Sequence, residues 1–397
     1  MKKIAATYIF TGKQELVKNA MLVCEDDGTI VEIIKSDKTL PEQHGLEYYS
    51  GILVPGFVNV HCHLELSHLK NKIEEKNGIG NFLRKINLLR NEETENLERA
   101  INIADRKMWA AGISAVGDIA NSIHSISTKL KSKIYYHTFV ESFGFHPERA
   151  EKSFQYAKKI QAEFTGNGLI AGIVPHSPYS VSKPLFDKIR LNAQAEKSML
   201  TIHCQESKSE IDFFKDGTGS IANHFINNLN IDISHWKPTG KRPLTSIMEF
   251  LPAENPLILV HNTFIEKADL EALKENRSLG NTFFALCPNS NLFIENQLPP
   301  IQLLISENIN ICLGTDSLAS NYELSILSEM KTLQDNFPEI KLTELLTWAT
   351  QNGAKALNIE KNYGTFERGK KPGINLIRGI DFKKLALTEN SDVKRLV

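Results

Sequence analysis

The stretch Val54-Pro55-Gly56-Phe57-Val58-Asn59-Val60-His61-Cys62-His63 reads as an apolar strand that opens after a Pro-Gly break and closes on two histidines one residue apart. Side chains on a strand alternate between faces, so His61 and His63 point the same way, roughly 7 Å apart. Two imidazoles delivered together from the carboxyl end of a buried strand suit a divalent metal. An isolated His-x-His pair can equally be one core histidine beside one surface histidine, so the reading turns on what the other strands carry.

Outward from that strand, from Gly51 on, apolar strands alternate with longer helical segments. Further strands are predicted over 113–118, 134–141, 169–176, 199–203, 257–261, 282–287 and 311–316, which with the first makes eight. Helical periodicity falls between them: in 79–90, Phe82, Ile86 and Leu89 recur at helical spacing. The segments 97–111, 150–164, 184–195 and 267–276 read the same way. A strand followed each time by a helix implies parallel pairing, and eight such units imply an α/β fold of the closed (β/α)8 barrel type. An open doubly wound sheet is the competing layout, but no G-x-G-x-x-G follows the first strand to support it. Helices over 323–336 and 342–358 complete the barrel, which is assigned to 53–359.

The two ends have a different texture. Residues 1–52 read as short strands, with a hairpin whose turn, Glu25-Asp26-Asp27-Gly28, has the required Asp-Gly chemistry. From Tyr363 the chain is again glycine-rich and β-like, so 1–52 and 360–397 are expected to combine into one small β-sandwich domain beside the barrel.

Bulk composition narrows the partners. A length of 397 residues accommodates one barrel with an appended domain, and 41% hydrophobic content supplies a substantial core. The 46 basic and 47 acidic residues nearly cancel, leaving no electrostatic footprint for nucleic acid or an anionic membrane. No stretch approaches the roughly 20 apolar residues of a membrane helix. The amino terminus is basic at Lys2-Lys3 but lacks a continuous apolar run, so no signal peptide is read. Cys24, Cys62, Cys204, Cys287 and Cys312 show no C-x-x-C spacing, which argues for reduced thiols and a cytoplasmic setting.

Strand after strand ends in a group that can bind a metal or move a proton. The first gives His61 and His63, the fourth His176, the fifth His203, the sixth His261 and the eighth Asp316. The carboxyl ends of barrel strands converge on one face, where catalytic sites are found. Imidazoles with a carboxylate suit a divalent ion, and water bound to such an ion falls from a pKa of about 15.7 toward about 7. Glu206, three residues beyond His203, is placed to move protons in the same pocket. His63-Leu64-Glu65 matches half of the zinc nucleoside deaminase signature H-x-E…P-C-x-x-C, but the second half is absent. Neither G-x-S-x-G nor a Walker loop is present, which gives serine-hydrolase and phosphoryl-transfer chemistry little support.

These motifs, in this order, resemble the amidohydrolase superfamily, in its cytosine deaminase-like, chlorohydrolase-like and S-adenosylhomocysteine deaminase-like branch. The matching segments are 55–63, Pro175-His176-Ser177-Pro178-Tyr179-Ser180, His203-Cys204-Gln205-Glu206, His261-Asn262, 287–292, 314–321 and 349–354. The resemblance implies a distorted barrel with one divalent ion, zinc before iron or manganese, held by His61, His63, His203 and Asp316. It implies Glu206 and His261, with Asp316, as the proton-transfer groups, and His176 against the substrate. Binuclear members carry a carboxylated lysine on a middle strand; here Glu141 and His176 stand at those strand ends, which favours one metal, with Glu141 a pocket or ligand alternative. The segment His63-Leu64-Glu65-Leu66-Ser67 is similar to that of aminodeoxyfutalosine deaminases, which places Glu65 near ribose hydroxyls; Ser290 is a further pocket residue. The expected activity is hydrolytic deamination of an adenine nucleoside derivative or another aminated N-heteroaromatic, with a small molecule as partner and a homodimer compatible with the family. A chlorohydrolase or cyclic amidohydrolase is the alternative enzyme, and a catalytically silent metal-binding relative the alternative class.

Overall fold

The structure, a computed structural model, describes residues 1–40 and 42–397. Five strands come from the amino-terminal end: β1 (Lys2–Phe10), β2 (Leu16–Val17), β3 (Ala20–Cys24), β4 (Ile30–Lys35) and β5 (Leu46–Pro55). The predicted hairpin is β3–β4, antiparallel, with Gly28 at φ +89° in its turn, a region glycine enters without penalty. After Gly56 come eight parallel strands: β6 (Phe57–Cys62), β7 (Ile113–Ala120), β8 (Tyr135–Ser142), β9 (Ile170–Pro175), β10 (Leu200–Cys204), β11 (Leu257–His261), β12 (Thr282–Leu286) and β13 (Asn310–Leu313). All eight coincide with the predicted ones to within a few residues, because a strand buried on both faces is a continuous apolar run. β14 (Ile374–Arg378) and β15 (Asp392–Arg395) close the chain.

The eight parallel strands do not make one continuous ladder, as a closed barrel requires. They form two four-stranded sheets, β6-β7-β8-β9 and β10-β11-β12-β13, that meet at two seams. At one seam Asp316, just past β13, bridges Cys62 of β6, and the Thr315 and Asp316 amides donate to His61 O at 3.0 Å. At the other, His203 N donates to His176 O at 3.0 Å. Pairing stops there for local reasons. β13 has four residues before the chain turns at Asp316, φ +55°, and β9 ends on Pro175, which has no N–H to donate.

The chain ends differ from expectation too. Their strands join in a single seven-stranded sheet, ordered β15-β14-β5-β1-β3-β4 with β2 on β1, where a sandwich of two sheets was expected. β5 explains this: it pairs parallel with β1 and antiparallel with β14, drawing both ends onto one sheet. Gly56 then passes the chain into β6 at a point where a Cβ would lie 1.8 Å from Ser114 Oγ.

The predicted helices appear as Gly78–Leu89, Thr94–Ala110, Ala150–Gly166, Lys183–Glu196, Lys267–Asn276 and Ile326–Asn336. The predicted 342–358 helix is interrupted by a π-helical turn, Trp348–Asn352. The sequence reading passed over Lys208–Asp216, Pro288–Glu295 and the short turns between 220 and 250, which are too brief for a periodic signal. Among the described residues no helix is long and apolar enough to cross a membrane.

Candidate active site

The site forms at the carboxyl ends of β6, β9, β10, β11 and β13, where the sequence reading expected it. His61 Nε2 and His63 Nε2 are 3.2 Å apart, and His63 Nε2 lies 3.2 Å from His203 Nε2. Asp316 Oδ1 is 3.8 Å from His61 Nε2 and 3.5 Å from His63 Nε2. His61 is 1% exposed and His203 7%.

Burial fixes the protonation states. It holds His63 and His261 down to about 3 and His61 well below the usual imidazole range, so these rings are neutral. His203 is likewise lowered by burial, and its Nδ1–H donates to His176 O at 2.8 Å. That leaves the His203 Nε2 lone pair aimed at the other two imidazoles. Burial opposes ionisation of Asp316, yet the facing His63 and His261 rings and the Ser290 hydroxyl hold its carboxyl below the usual range.

These positions fit a divalent ion. Lone pairs converging at 3.2 Å repel one another unless a cation lies between them. Two nitrogens bound to one tetrahedral zinc at 2.0–2.1 Å would stand about 3.3 Å apart. The spacing of the imidazoles is that of a ligand shell.

Backbone strain marks the same positions. Gln205, His261, Asn262 and Asp316 have φ of +50°, +71°, +55° and +55°, a region that residues other than glycine enter at a cost. Neighbouring bonds hold the turn at Asp316: Asn59 Nδ2 donates to Thr315 Oγ1 at 2.8 Å, and Thr315 N donates to Asn59 Oδ1 at 3.1 Å. Gly314 is required there, since a Cβ would meet His61 Cβ at 2.8 Å.

Glu206 sits beside the cluster, 6% exposed, with Oε1 3.6 Å from His261 Nε2. Burial, reinforced by the charges of Asp316, Glu210 and Glu295, pushes its carboxyl well above the usual range, which favours the protonated form. His261 Nδ1 is 3.1 Å from Asn291 Nδ2. His176 presents its ring to the pocket while its Nδ1 lies 2.6 Å from Ser180 Oγ and 3.1 Å from Ser177 Oγ.

Of two further residues expected at the substrate, Ser290 lies elsewhere, while Glu65 lines the cleft beside the cluster with one carboxylate oxygen bonded to protein. Ser290 is fully buried behind Asp316 and donates to its Oδ2 at 2.6 Å. The carboxylate of Glu65 is taken up by protein: Oε2 accepts from Asn121 N at 3.0 Å, Ser122 N at 3.1 Å and Ser122 Oγ at 2.8 Å, with Arg90 3.6 Å from Oε1. It therefore clamps the loop after β7. Glu141 Oε1 lies 3.5 Å from His203 Nδ1, the nitrogen opposite the cluster.

The sequence reading missed Ser320, which donates to Asp316 Oδ2 at 2.8 Å; its place four residues past Asp316 was the available signal. It also missed His224, a pocket-lining residue within the π-helical turn His224–Asn228. The cavity over the cluster, about 190 Å³, is walled by Ile79, Phe82, Leu83, Ile86, Tyr179 and Phe225, with Glu206, His261 and Asp316 at its floor. It adjoins a wider cleft of about 900 Å³ that includes Phe143, Tyr156 and Arg149. An apolar slot over a polar floor suits a flat heteroaromatic ring.

The buried groups give a pH expectation for the metal-free protein. Histidines held below their unfolded pKa of about 6.5 stabilise fully above that value, and this stability is lost as pH falls through the folded values near 3. Carboxyls held high, Glu206 and Glu210 (about 8), act oppositely: their contribution is full below about 4.5 and is lost as pH rises toward 8. Between pH 4.5 and 6.5 the two sets have opposing slopes, so stability to urea should be highest there and decline on both sides, by on the order of 1.4 kcal/mol per pH unit for each uncompensated proton. A flat profile from pH 4 to 8 would show that these groups titrate as in the unfolded chain.

Comparison with known proteins agrees with this geometry. Residues 52–395 match the family described as Amidohydrolase family. An adenosine deaminase of Helicobacter pylori is 29% identical over 341 residues, covering 83% of this chain and 79% of its own. Among solved structures, the aminofutalosine deaminase of Helicobacter pylori in complex with methylthio-coformycin superposes with a TM-score of 0.79 at 22% identity, covering 95% of this chain and 92% of that one. An adenosine deaminase from Xanthomonas campestris with bound zinc gives 0.74 at 19% identity, covering 98% and 87%.

Proposed function

The chain belongs to the amidohydrolase family, and from that premise we propose that it is a metal-dependent deaminase of adenine nucleosides. The observation that carries the reading is the convergence of His61, His63 and His203 Nε2 with Asp316 Oδ1, next to Glu206 and His261. His61, His63, His203 and Asp316 would hold one divalent ion. Zinc is favoured by the imidazole-rich donor set and by the zinc in the Xanthomonas relative. Such an ion supplies hydroxide at neutral pH by lowering the pKa of a water it holds.

The residues do the rest. The apolar slot under Phe82 and Ile86 receives the purine edge-first, with its amine-bearing carbon over the floor. Glu206, in its protonated form, donates to the ring nitrogen next to that carbon, which raises its electrophilicity. Asp316 and His261 take the proton released as the C–O bond forms. The ring nitrogen keeps the proton it received, and the amine gains the one held by Asp316 and His261 as the C–N bond breaks; the proton shed by the next water returns to Glu206. Water is consumed and ammonia leaves. His176, held through Nδ1 by Ser180, faces the same space and orients the ring.

The adenine nucleoside class is favoured by the relatives that act on adenosine and aminofutalosine. The test is ammonia release from adenosine, 5′-deoxyadenosine, methylthioadenosine, guanine and cytosine, run beside chloride release from a chlorotriazine. Ammonia from the adenine nucleosides, at least about 100-fold above the other compounds in kcat/KM, is the expected outcome. Preferential chloride release would instead assign the chlorohydrolase chemistry that shares this attacking group.

A further inference from the structure

Glu329 is a glutamate with no exposed surface, on the helix Ile326–Asn336 that follows β13. Its carboxylate meets no cation. Oε2 accepts from Asn289 N at 2.9 Å, and Oε1 accepts from Asn289 Nδ2 at 3.1 Å and Asn321 Nδ2 at 2.7 Å. Both amide orientations are fixed by their other bonds: Asn289 Oδ1 accepts from Thr332 Oγ1 at 2.5 Å, and Asn321 Nδ2 donates to Thr315 O at 2.9 Å.

Each asparagine adjoins a serine that grips Asp316. Asn289 precedes Ser290, and Asn321 follows Ser320; both serines donate to Asp316 Oδ2, at 2.6 Å and 2.8 Å, and their oxygens stand 2.9 Å apart. With Oδ2 held from two sides, Oδ1 is the oxygen left facing His61 and His63. The loops after β12 and β13 have no backbone ladder between them at this level, since β12–β13 pairing ends at Leu286 and Leu313. Behind the serines, Glu329 ties one loop to the other through both asparagines.

We propose that Glu329 is a positioning residue for the metal centre: by fastening the loop of Ser290 to the loop of Ser320, it sets the orientation of the Asp316 carboxylate. The inference rests on the reading of Asp316 as a metal ligand. Glu329→Gln keeps the volume but turns one acceptor oxygen into a donor facing a donor, so one of the three bonds is lost and replaced by repulsion. Partners outside the ligand shell typically change metal affinity by about 10–100-fold, and this one, acting through a serine, is expected near the lower limit.

The experiment measures zinc affinity by competition with a chromophoric chelator, and the visible spectrum of the cobalt-substituted protein, for wild type, E329Q, S290A/S320A and the triple variant. D105N serves as the stability control, since Asp105 is a buried carboxylate that binds Ser132 and Tyr136 away from the site. E329Q is expected to weaken zinc binding about tenfold and alter the cobalt spectrum, and to do neither in the S290A/S320A background, where its route is already cut. An unchanged affinity and spectrum, with a drop in Tm matching D105N, would overturn the proposal and leave Glu329 as scaffold. Asn289→Ala, which removes one side-chain arm and no bond to the turn at Asp316, is read the same way should E329Q not fold. D316N separates the two claims: undiminished zinc binding there would reject Asp316 as ligand, independently of what E329Q does.

Discussion

Glu206→Gln should give a folded protein that retains its metal and releases ammonia about 10³-fold more slowly than wild type. The loss is large because the carboxyl is placed for one task. It is buried, pushed well above its ordinary pKa, and its nearest charged-capable neighbour is His261 Nε2 at 3.6 Å, a separation too long for a strong hydrogen bond. No protein donor stabilises it as an anion among the described residues, which favours the protonated form that a ring nitrogen needs. Glutamine preserves the shape and can still hydrogen-bond, but it cannot give that proton up. The variant should also lose the alkaline limb of the kcat profile, because in wild type activity falls as pH rises through the raised pKa of this acid. Steady-state kinetics with metal content measured on the same sample check both points. Full activity in the variant would remove Glu206 from the mechanism.

His203→Ala has the second large effect: loss of the ion on dialysis and turnover no better than that of chelator-treated wild type. His203 is the imidazole whose direction is most firmly set, since its Nδ1–H is fixed on His176 O at 2.8 Å and its Nε2 therefore faces His63 Nε2 at 3.2 Å. Removing one of three converging nitrogens costs more than the about 10–100-fold in affinity that changes to a ligand's own partners cost. The fold should survive, because β10 keeps Leu200 and Ile202 in the core and its pairing with β11. Zinc content after dialysis, with circular dichroism to confirm folding, distinguishes loss of the ion from loss of structure.

The parts legible in the sequence were those written in local pattern. Eight apolar runs, each closing on or near a polar residue, were enough to place His61, His63, His203, His261 and Asp316 on strand ends, and the structure brings their side chains together. What escaped was set by tertiary contacts. That Ser290 lies behind Asp316 rather than in the pocket depends on the helix Pro288–Glu295 turning that serine to the Asp316 carboxylate, a placement a short sequence motif cannot carry. Glu65 looked available because it follows the metal strand, but the loop at Asn121 and Ser122, distant in sequence, takes up its carboxylate. Glu329 was not singled out in the sequence, and the approach of Asn289 and Asn321 is what distinguishes it. The seams between the sheets follow from left-handed backbone at Asp316 and from Pro175 ending β9, neither of which alters hydrophobic periodicity.

The most direct measurement is a titration of metal-free protein with zinc, following bound ion and ammonia release from 5′-deoxyadenosine in the same samples. Both should rise together and level off at one ion per chain. Release that proceeds without metal, or that needs a second equivalent to reach its maximum, would contradict a single ion held by His61, His63, His203 and Asp316.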